Sequence, residues 1–235
     1  MRRIRALFTH ARDDERGITL AELIVAMSLS ILVLTVAGSF LVSAQKASVT
    51  AGSISQNTRA ASAAMNEVSR LLRAATDNPV PTGDDSQYAF QYASSTSIRF
   101  FAYVNLDSTL SQPVEVQLTL DPATKRITET KWNGTAVSGN TSYYSFPLAS
   151  GPALSTTPSS SRTLLSSAVN ATAFTFADAS GNTLGSPTTP VAASDLPNIR
   201  TVSVTLTVGA SATDKNAVTL TNSASMPNIV MGASS

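Results

Sequence analysis

Few side chains of this 235-residue protein have the chemistry that catalysis needs. Cysteine is absent and His10 is the single histidine, which excludes a Cys-His nucleophile, a Ser-His-Asp triad and the usual zinc and copper sites. Asp84 and Asp85 are adjacent, and Asp178 precedes a turn, but two or three oxygens fall short of the roughly six to eight that calcium takes. The sequence therefore predicts no enzyme, no cofactor and no metal site.

One carboxylate stands in an unusual place, just before a long apolar segment. Glu22 precedes residues 23–44, a run of 22 residues without a charge, and no Lys, Arg or His lies between Gly17 and Lys46. An ionised side chain deep in a bilayer costs roughly 2.5–3.5 kcal/mol and normally has a partner. Such a partner would have to come from outside residues 18–45. The alternative is that Glu22 lies in the interfacial zone, where ionisation costs little.

The apolar segment predicts a membrane-spanning helix. At about 1.5 Å per residue its 22 residues reach roughly 33 Å, enough to cross the hydrocarbon core. Residues 1–17 carry a net charge of +2 with five arginines, whereas the remainder carries −1. The positive-inside rule then places the N-terminus in the cytoplasm and the bulk of the chain outside. A buried core helix is less favoured, because such apolar runs are normally shorter.

A cleavable secretory signal is the stronger alternative for this segment. Val42-Ser43-Ala44 resembles a signal-peptidase site, and its use would release a soluble domain that starts at Gln45. The apolar region of a signal peptide is typically about 7–15 residues long, however, and this one is longer. The residues before the apolar run also argue against a secretory signal.

Residues 16–22 read RGITLAE and stand immediately before the apolar run. Here the chain closely resembles the type IV prepilin family, which includes pilins, minor pilins and the pseudopilins of type II secretion. The family pattern is a short basic leader ending in Gly, then an apolar residue, Thr, Leu, any residue and Glu, before the apolar helix. Ile18 stands where Phe is most usual and Ala21 where Ile or Val is common, and both remain apolar. The resemblance is strong over residues 12–44 and architectural beyond them.

The resemblance implies a structural filament subunit. Prepilin peptidase would cut after Gly17, Ile18 would be N-methylated with its charge kept, and Thr19, Leu20 and Glu22 would serve assembly. Glu22 would meet the N-terminal amine of a neighbouring subunit. The implied partners are the peptidase, other pilin or pseudopilin subunits, an inner-membrane assembly platform and the lipid bilayer, without nucleic acid. The implied location is the cytoplasmic membrane, as a single-pass protein, and then a periplasmic or extracellular filament.

The helix is expected to continue beyond the membrane and to end near residues 76–78, before Pro79. Residues 45–75 contain no proline, and small or apolar residues recur at helical spacing. This stripe consists of Ile54, Thr58, Ala61, Met65, Val68 and Leu72. A coiled coil is one use of it, but docking on the protein's own sheet is preferred, because only about three heptads of small residues are present.

Alternating patterns then predict antiparallel strands, one face of which the second half of the helix would cover. The strands are expected around residues 88–92, 98–104, 114–120, 125–132, 174–176, 202–208 and 218–220, with turns at 121–124 and 178–182. Aromatic residues in the first two are expected to pack in the core rather than to stack on a glycan or a DNA base. The expected class is α+β, resembling the lollipop architecture of pilin-like proteins, and the large β-rich domain is most like a minor pilin or minor pseudopilin.

The sequence thus divides into four parts. These are a cytoplasmic leader (1–17), a transmembrane and polymerisation helix (18–44), its extracytoplasmic continuation (45–77) and a β-rich domain (78–235). An exposed Ser/Thr/Pro-rich loop is expected near residues 149–162, and three Asn-X-Ser/Thr sequons leave glycosylation open. The rival function is a membrane-tethered or signal-peptide-released β-domain that binds a surface ligand such as a glycan or DNA.

Overall fold

A computed structural model describes residues 18–81, 86–105, 112–154, 156–226 and 229. The leader with the predicted cleavage residue Gly17, and the neighbouring Asp84 and Asp85, lie outside the described residues. The chain divides into two compact units, Met1–Ala51 and Gly52–Ser235.

One long helix, α1 (Leu20–Arg73), opens the described chain. It ends a few residues earlier than the predicted end at 76–78, because the chain joins the sheet at this point. The Thr76 N–H donates a hydrogen bond to the Phe101 carbonyl at 3.0 Å, and Ala75 pairs with Ala102 in an isolated antiparallel bridge. Sheet pairing therefore replaces the last predicted turn of the helix.

The part of α1 in the second unit packs on the sheets through one stripe of residues. The buried residues of the helix are Ala61, Ala64, Met65, Val68, Ser69, Leu71 and Leu72. Of the predicted stripe, Ile54 is 39% exposed and Thr58 is exposed, so the packed face begins only at Ala61. From that residue on, the predicted docking of the helix on the protein's own sheet is confirmed.

Within the described residues, thirteen strands and one short 3₁₀ helix (Leu196–Asn198) follow α1. The strands are β1 (Asn78–Pro79), β2 (Ser86–Gln87), β3 (Phe90–Ala93), β4 (Ser97–Asn105), β5 (Gln112–Asp121), β6 (Arg126–Asn133), β7 (Thr135–Val137), β8 (Asn140–Ser145), β9 (Ser160–Leu165), β10 (Phe174–Ala177), β11 (Thr183–Leu184), β12 (Thr201–Val208) and β13 (Val218–Ser225). A five-stranded sheet has the order β3-β4-β5-β6-β9, and a four-stranded sheet has the order β11-β10-β12-β13. All of these pairings are antiparallel.

The fold is therefore α+β, with the second half of a long N-terminal helix packed on antiparallel sheets. The strands expected at 98–104, 114–120, 174–176, 202–208 and 218–220 all form, and β5 and β6 make the predicted hairpin. Its turn places Lys125 at φ 56°, in the left-handed region. The predicted turn after β10 also forms, since Asp178 Oδ1 accepts hydrogen bonds from the N–H groups of Ser180 and Asn182 at 2.8 Å.

The five-stranded sheet is covered on both faces across β4 and β5, whereas alternation predicted one covered face. Ile98 and Phe100 of β4 face the core that contains the helix. The side chains on the other face of the sheet, which alternate with them in β4 or lie beside these in β5, are equally buried. Arg99, Phe101 and Glu115 are all 0% exposed.

The second cover is a segment here named the strap, residues 146–154 and 156–158. Arg99 Nη1 donates to the carbonyl of Gly151 at 3.0 Å and Nη2 donates to that of Ala149, while Gln117 Nε2 donates to that of Pro152 at 2.7 Å. The expected exposure near residues 149–162 is confirmed, since none of the described residues there is buried, but the segment differs from a plain loop in two respects. The strap carbonyls satisfy buried side chains, and residues 160–162 belong to the edge strand β9.

An ion pair lies beneath the strap. Arg99 Nε is 3.0 Å from Glu115 Oε1, and both side chains are fully buried. Burial lowers the pKa of Arg99 and raises the pKa of Glu115 to about 7, and in each case the attraction between the two charges opposes the shift. Burial thus outweighs their attraction, so removal of one partner would leave a costly charge behind.

A second group of charges joins the helix to the edge of the sheet. Glu67 accepts two hydrogen bonds from Arg70, at 2.9 and 2.7 Å, and pairs with Arg162 of β9. Arg162 also contacts Glu129 at 2.5 Å, and Lys131 lies 2.7 Å from the same carboxylate. The hydrogen bonds from Arg70, with a further contribution from Arg162, lower the pKa of Glu67 to about 2.

Replacement of Arg99 by Met should destabilise the protein by about 3–5 kcal/mol at about pH 8, because Glu115 is then buried without its partner and must either stay ionised and unpaired or take up a proton. The double variant Arg99→Met/Glu115→Met should regain part of that loss, since it removes both charges, although the strap carbonyls stay unsatisfied. Chemical denaturation of the full chain in detergent micelles measures both. A double variant that is no more stable than the single one would contradict this account.

Glu67 and Glu115 should give opposite pH dependences of the unfolding free energy. The folded-state pKa of Glu67, about 2, lies below its ordinary 4.5, so its stabilisation is present above about pH 4.5 and is lost as the pH falls through 2. The folded-state pKa of Glu115, about 7, lies above the ordinary 4.5, so stability declines as the pH rises from 4.5 to 7. Urea unfolding across this range should show that Glu115→Gln abolishes the decline and Glu67→Gln leaves it intact. The reverse pattern would exclude this assignment.

Candidate processing and assembly site

The first half of α1 presents an apolar surface that its own fold does not bury. Its most apolar window of 18 residues has a mean hydropathy of 2.3 and none of it is buried. Leu23 is 52% exposed and Phe40 is 76% exposed. Among the described residues this is the one helix long and apolar enough to cross a membrane.

The hydroxyl groups in this segment find their partners within the helix itself. Each donates a hydrogen bond to a backbone carbonyl three or four residues earlier, at 2.7–2.9 Å. The donors are Ser28, Ser30, Thr35, Ser39 and Ser43. In lipid no water is available to satisfy polar groups, so these internal bonds make the segment compatible with a hydrocarbon environment.

Thr19 and Glu22 close the N-terminus of the helix as a capping box. The Glu22 N–H donates to the Thr19 hydroxyl oxygen at 3.2 Å, and the Thr19 N–H donates to Glu22 Oε2 at 2.9 Å. The Thr19 hydroxyl also donates to Oε2, at 3.0 Å. This reciprocal pattern satisfies backbone donors that a helix start leaves free. The capping role of these two residues was not predicted from the sequence, although Thr-X-X-Glu before an apolar run is its known signal.

The structure brings together two of the residues singled out for assembly and leaves the others exposed. Thr19 and Glu22 are in direct contact, Leu20 is the first residue of α1 and is 76% exposed, and Ile18 is 75% exposed. Gly17, on which the predicted cleavage depends, lies outside the described residues.

The Glu22 carboxylate keeps one oxygen free of Thr19. Both hydrogen bonds from Thr19 go to Oε2, so Oε1 takes no part in the cap. Glu22 is also the single ionisable side chain of residues 18–45. The arrangement can therefore cap the helix and accept a cationic donor such as an ammonium group at Oε1.

Aromatic residues on the second unit divide into buried and exposed sets. Phe90, Phe100 and Phe101 are at most 2% exposed, as the predicted core packing requires. Tyr88 is 54% exposed and Tyr103 is 39% exposed, so core packing was the wrong expectation for these two. The tyrosine rings remain accessible at the surface of the domain.

The arrangement shows no sign of a metal centre. Over the part of the chain that the structure describes, no group of three or more His, Cys, Asp or Glu side chains could hold a metal ion.

No protein-family model matches the chain, and no curated protein matches it either.

Proposed function

We propose that the protein is a minor pilin-like or pseudopilin-like structural subunit. In this proposal prepilin peptidase cuts after Gly17, Ile18 is N-methylated, and the subunit joins a type IV pilus or a type II secretion-like filament. The observation that carries the proposal is Glu22, a lone carboxylate with one oxygen outside the helix cap, at the start of an exposed apolar helix.

The uncovered apolar surface of α1 is suited to two apolar environments, which the subunit would occupy one after the other. The subunit first lies in the cytoplasmic membrane, with lipid around the helix and the β-rich domain outside. It then moves into a filament, where equivalent helices of other subunits replace the lipid. The hydroxyl groups in this segment are compatible with both environments, because they donate their hydrogen bonds to carbonyls of the same helix and need no partner from lipid or from another subunit.

The cut after Gly17 supplies the cation that Glu22 lacks. Before cleavage the Ile18 nitrogen belongs to a peptide bond and carries no charge, whereas afterwards it is an ammonium group, and N-methylation keeps its charge. An ammonium group of a neighbouring subunit can then pair with Oε1 while Thr19 holds Oε2. Processing would in this way be a condition for assembly.

Two simpler roles compete with the proposal. Glu22 could serve only as a helix cap on a membrane anchor, or the chain could be cut after Ala44 to release a β-domain. The first role needs the shape of the Glu22 side chain but not its charge. The second removes Glu22 from the mature protein altogether. The two experiments below distinguish these cases from the proposal.

N-terminal sequencing of the protein extracted from membranes should find Ile18 as the first residue, carrying a methyl group. The physical reason is that only this cut creates an amine beside the apolar helix. A start at Gln45, or an intact Met1, would refute the proposal.

The charge of Glu22 can be separated from its capping role. Glu22→Gln keeps a side chain that completes a capping box, so its processing should be normal, whereas its incorporation into filaments should fall at least about tenfold with loss of the charge. Thr19→Ser, which retains the hydroxyl and the carboxylate, is the matched control and should assemble normally. Quantification of the subunit in sheared filaments measures both variants. If Glu22→Gln assembles as well as the unmodified protein, the proposal is refuted for this residue and Glu22 acts only as a helix cap.

A further inference from the structure

An open groove of about 410 Å³ lies beside Tyr88 in the second unit. Tyr88, Phe90 and Gln91 form one wall, and residues 148–150 of the strap form another. Ala193 and Leu196 complete it. The volume falls within the roughly 300–1,000 Å³ that is usual for small-molecule sites.

Two large side chains expose apolar surface in this groove. Tyr88 and Leu148 are each 54% exposed, whereas Phe90 beside them is buried. Exposed apolar surface within a concave site is a feature that ligand pockets commonly have. Tyr88 thus lines the groove with about half of its surface open to a ligand.

The strap wall of the groove is held firmly from below. Arg99 donates to the carbonyls of Ala149 and Gly151, on either side of Ser150. The Phe146 ring packs on that of Phe101, with centroids 5.0 Å apart. Because these bonds fix the wall before any ligand arrives, binding would lose little free energy to ordering of the strap. Arg99 would therefore have a second role besides its ion pair with Glu115, which is to hold the strap wall of the groove in place.

Close packing holds the start of the strap as well. A Cβ on Gly134 would come within 2.8 Å of Phe146 Cζ and 2.7 Å of Tyr144 Cβ. Glycine at this position therefore lets the strap approach the sheet.

The polar groups in the groove are all uncharged. No lining residue is acidic or basic, so the site favours a neutral ligand. Gln91 Nε2 donates to the Tyr88 carbonyl at 2.6 Å, which fixes the amide and leaves its oxygen available as an acceptor. The hydroxyl groups of Tyr88 and Ser150 can each donate and accept.

We propose that this groove binds a neutral saccharide, with one pyranose ring stacked on Tyr88 and its hydroxyls bonded to Gln91 and Ser150. A pyranose ring has an apolar C–H face and a rim of hydroxyls, which matches a flat aromatic face bordered by uncharged polar groups. A short apolar peptide would use the ring face and leave those polar groups unpaired, so it fits less well. The inference is independent of filament assembly, since every residue in it belongs to the second unit.

Saturation-transfer NMR on the full chain in detergent micelles tests this proposal. The probes are neutral trisaccharides of glucose, galactose, mannose and N-acetylglucosamine, with trigalacturonic acid and tetraproline as the acidic and peptide counterparts. At least one neutral trisaccharide should receive saturation, and the acidic one should bind less well than its neutral counterpart. Absence of a signal from every neutral probe, or a signal from tetraproline only, would overturn the proposal.

Variants then locate the binding. Tyr88→Ala should weaken binding at least about tenfold, whereas Tyr88→Phe should keep most of it, since it retains the ring. Tyr103→Ala removes a partly exposed tyrosine outside the groove and should bind normally. If Tyr88→Ala does not fold, Ala193→Leu, which narrows the groove from an exposed position, should weaken binding instead. Unchanged binding in folded Tyr88→Ala, or in Ala193→Leu, would overturn the proposal.

Discussion

From Ile18 to Val49, sixteen large apolar side chains are each about half or more exposed, and all but Ile18 belong to α1. Burial of one such side chain is worth about 1.5–3 kcal/mol, so together they represent tens of kcal/mol, more than the roughly 5–15 kcal/mol that usually separates folded from unfolded domains. A surface of this size requires an apolar environment that residues 18–51 do not provide for themselves. Two further features agree with that requirement, namely the internally bonded hydroxyls and the single ionisable group near one end.

The second half of α1 has to pack on the sheets, and its buried residues are mainly a mixture of small and large apolar side chains. Where the sheets cover the helix, the buried positions include Ala61 and Ala64, which allow close approach, and Leu71 and Leu72, which fill the core. The sequence predicted this docking because helical spacing and strand alternation are both local patterns. It misplaced the beginning of the packed face and the end of the helix. Whether Ile54 is covered, or residue 76 stays helical, depends on which strand lies nearby, and neither local pattern contains that information.

The buried charges show where prediction from sequence stops. Arg99 and Glu115 occupy alternate positions in their strands, which normally indicates a solvent-facing side, and the strap that covers them comes from a Ser/Thr/Pro-rich segment without any periodicity. The sequence did contain one sign that this face of the sheet is covered. Phe101 and Trp132 are large aromatic residues at the strand positions that alternation assigns to solvent, and both are buried in the structure. Trp132 donates from its ring nitrogen to the Thr156 carbonyl of the strap at 3.1 Å, so the aromatic and the charged residues share one cover. Large apolar residues at polar positions of an alternating strand thus indicate a second packed face.

The two roles considered for Glu22 are compatible, because they use different atoms. The cap employs the Glu22 N–H and Oε2, both directed to Thr19, and leaves Oε1 without a part in it. A capped glutamate has fewer rotamers than a free one, so an arriving ammonium group would meet a carboxylate that is already oriented and would lose less entropy on pairing. Local helix chemistry at Thr19 would in this way prepare the proposed contact between subunits.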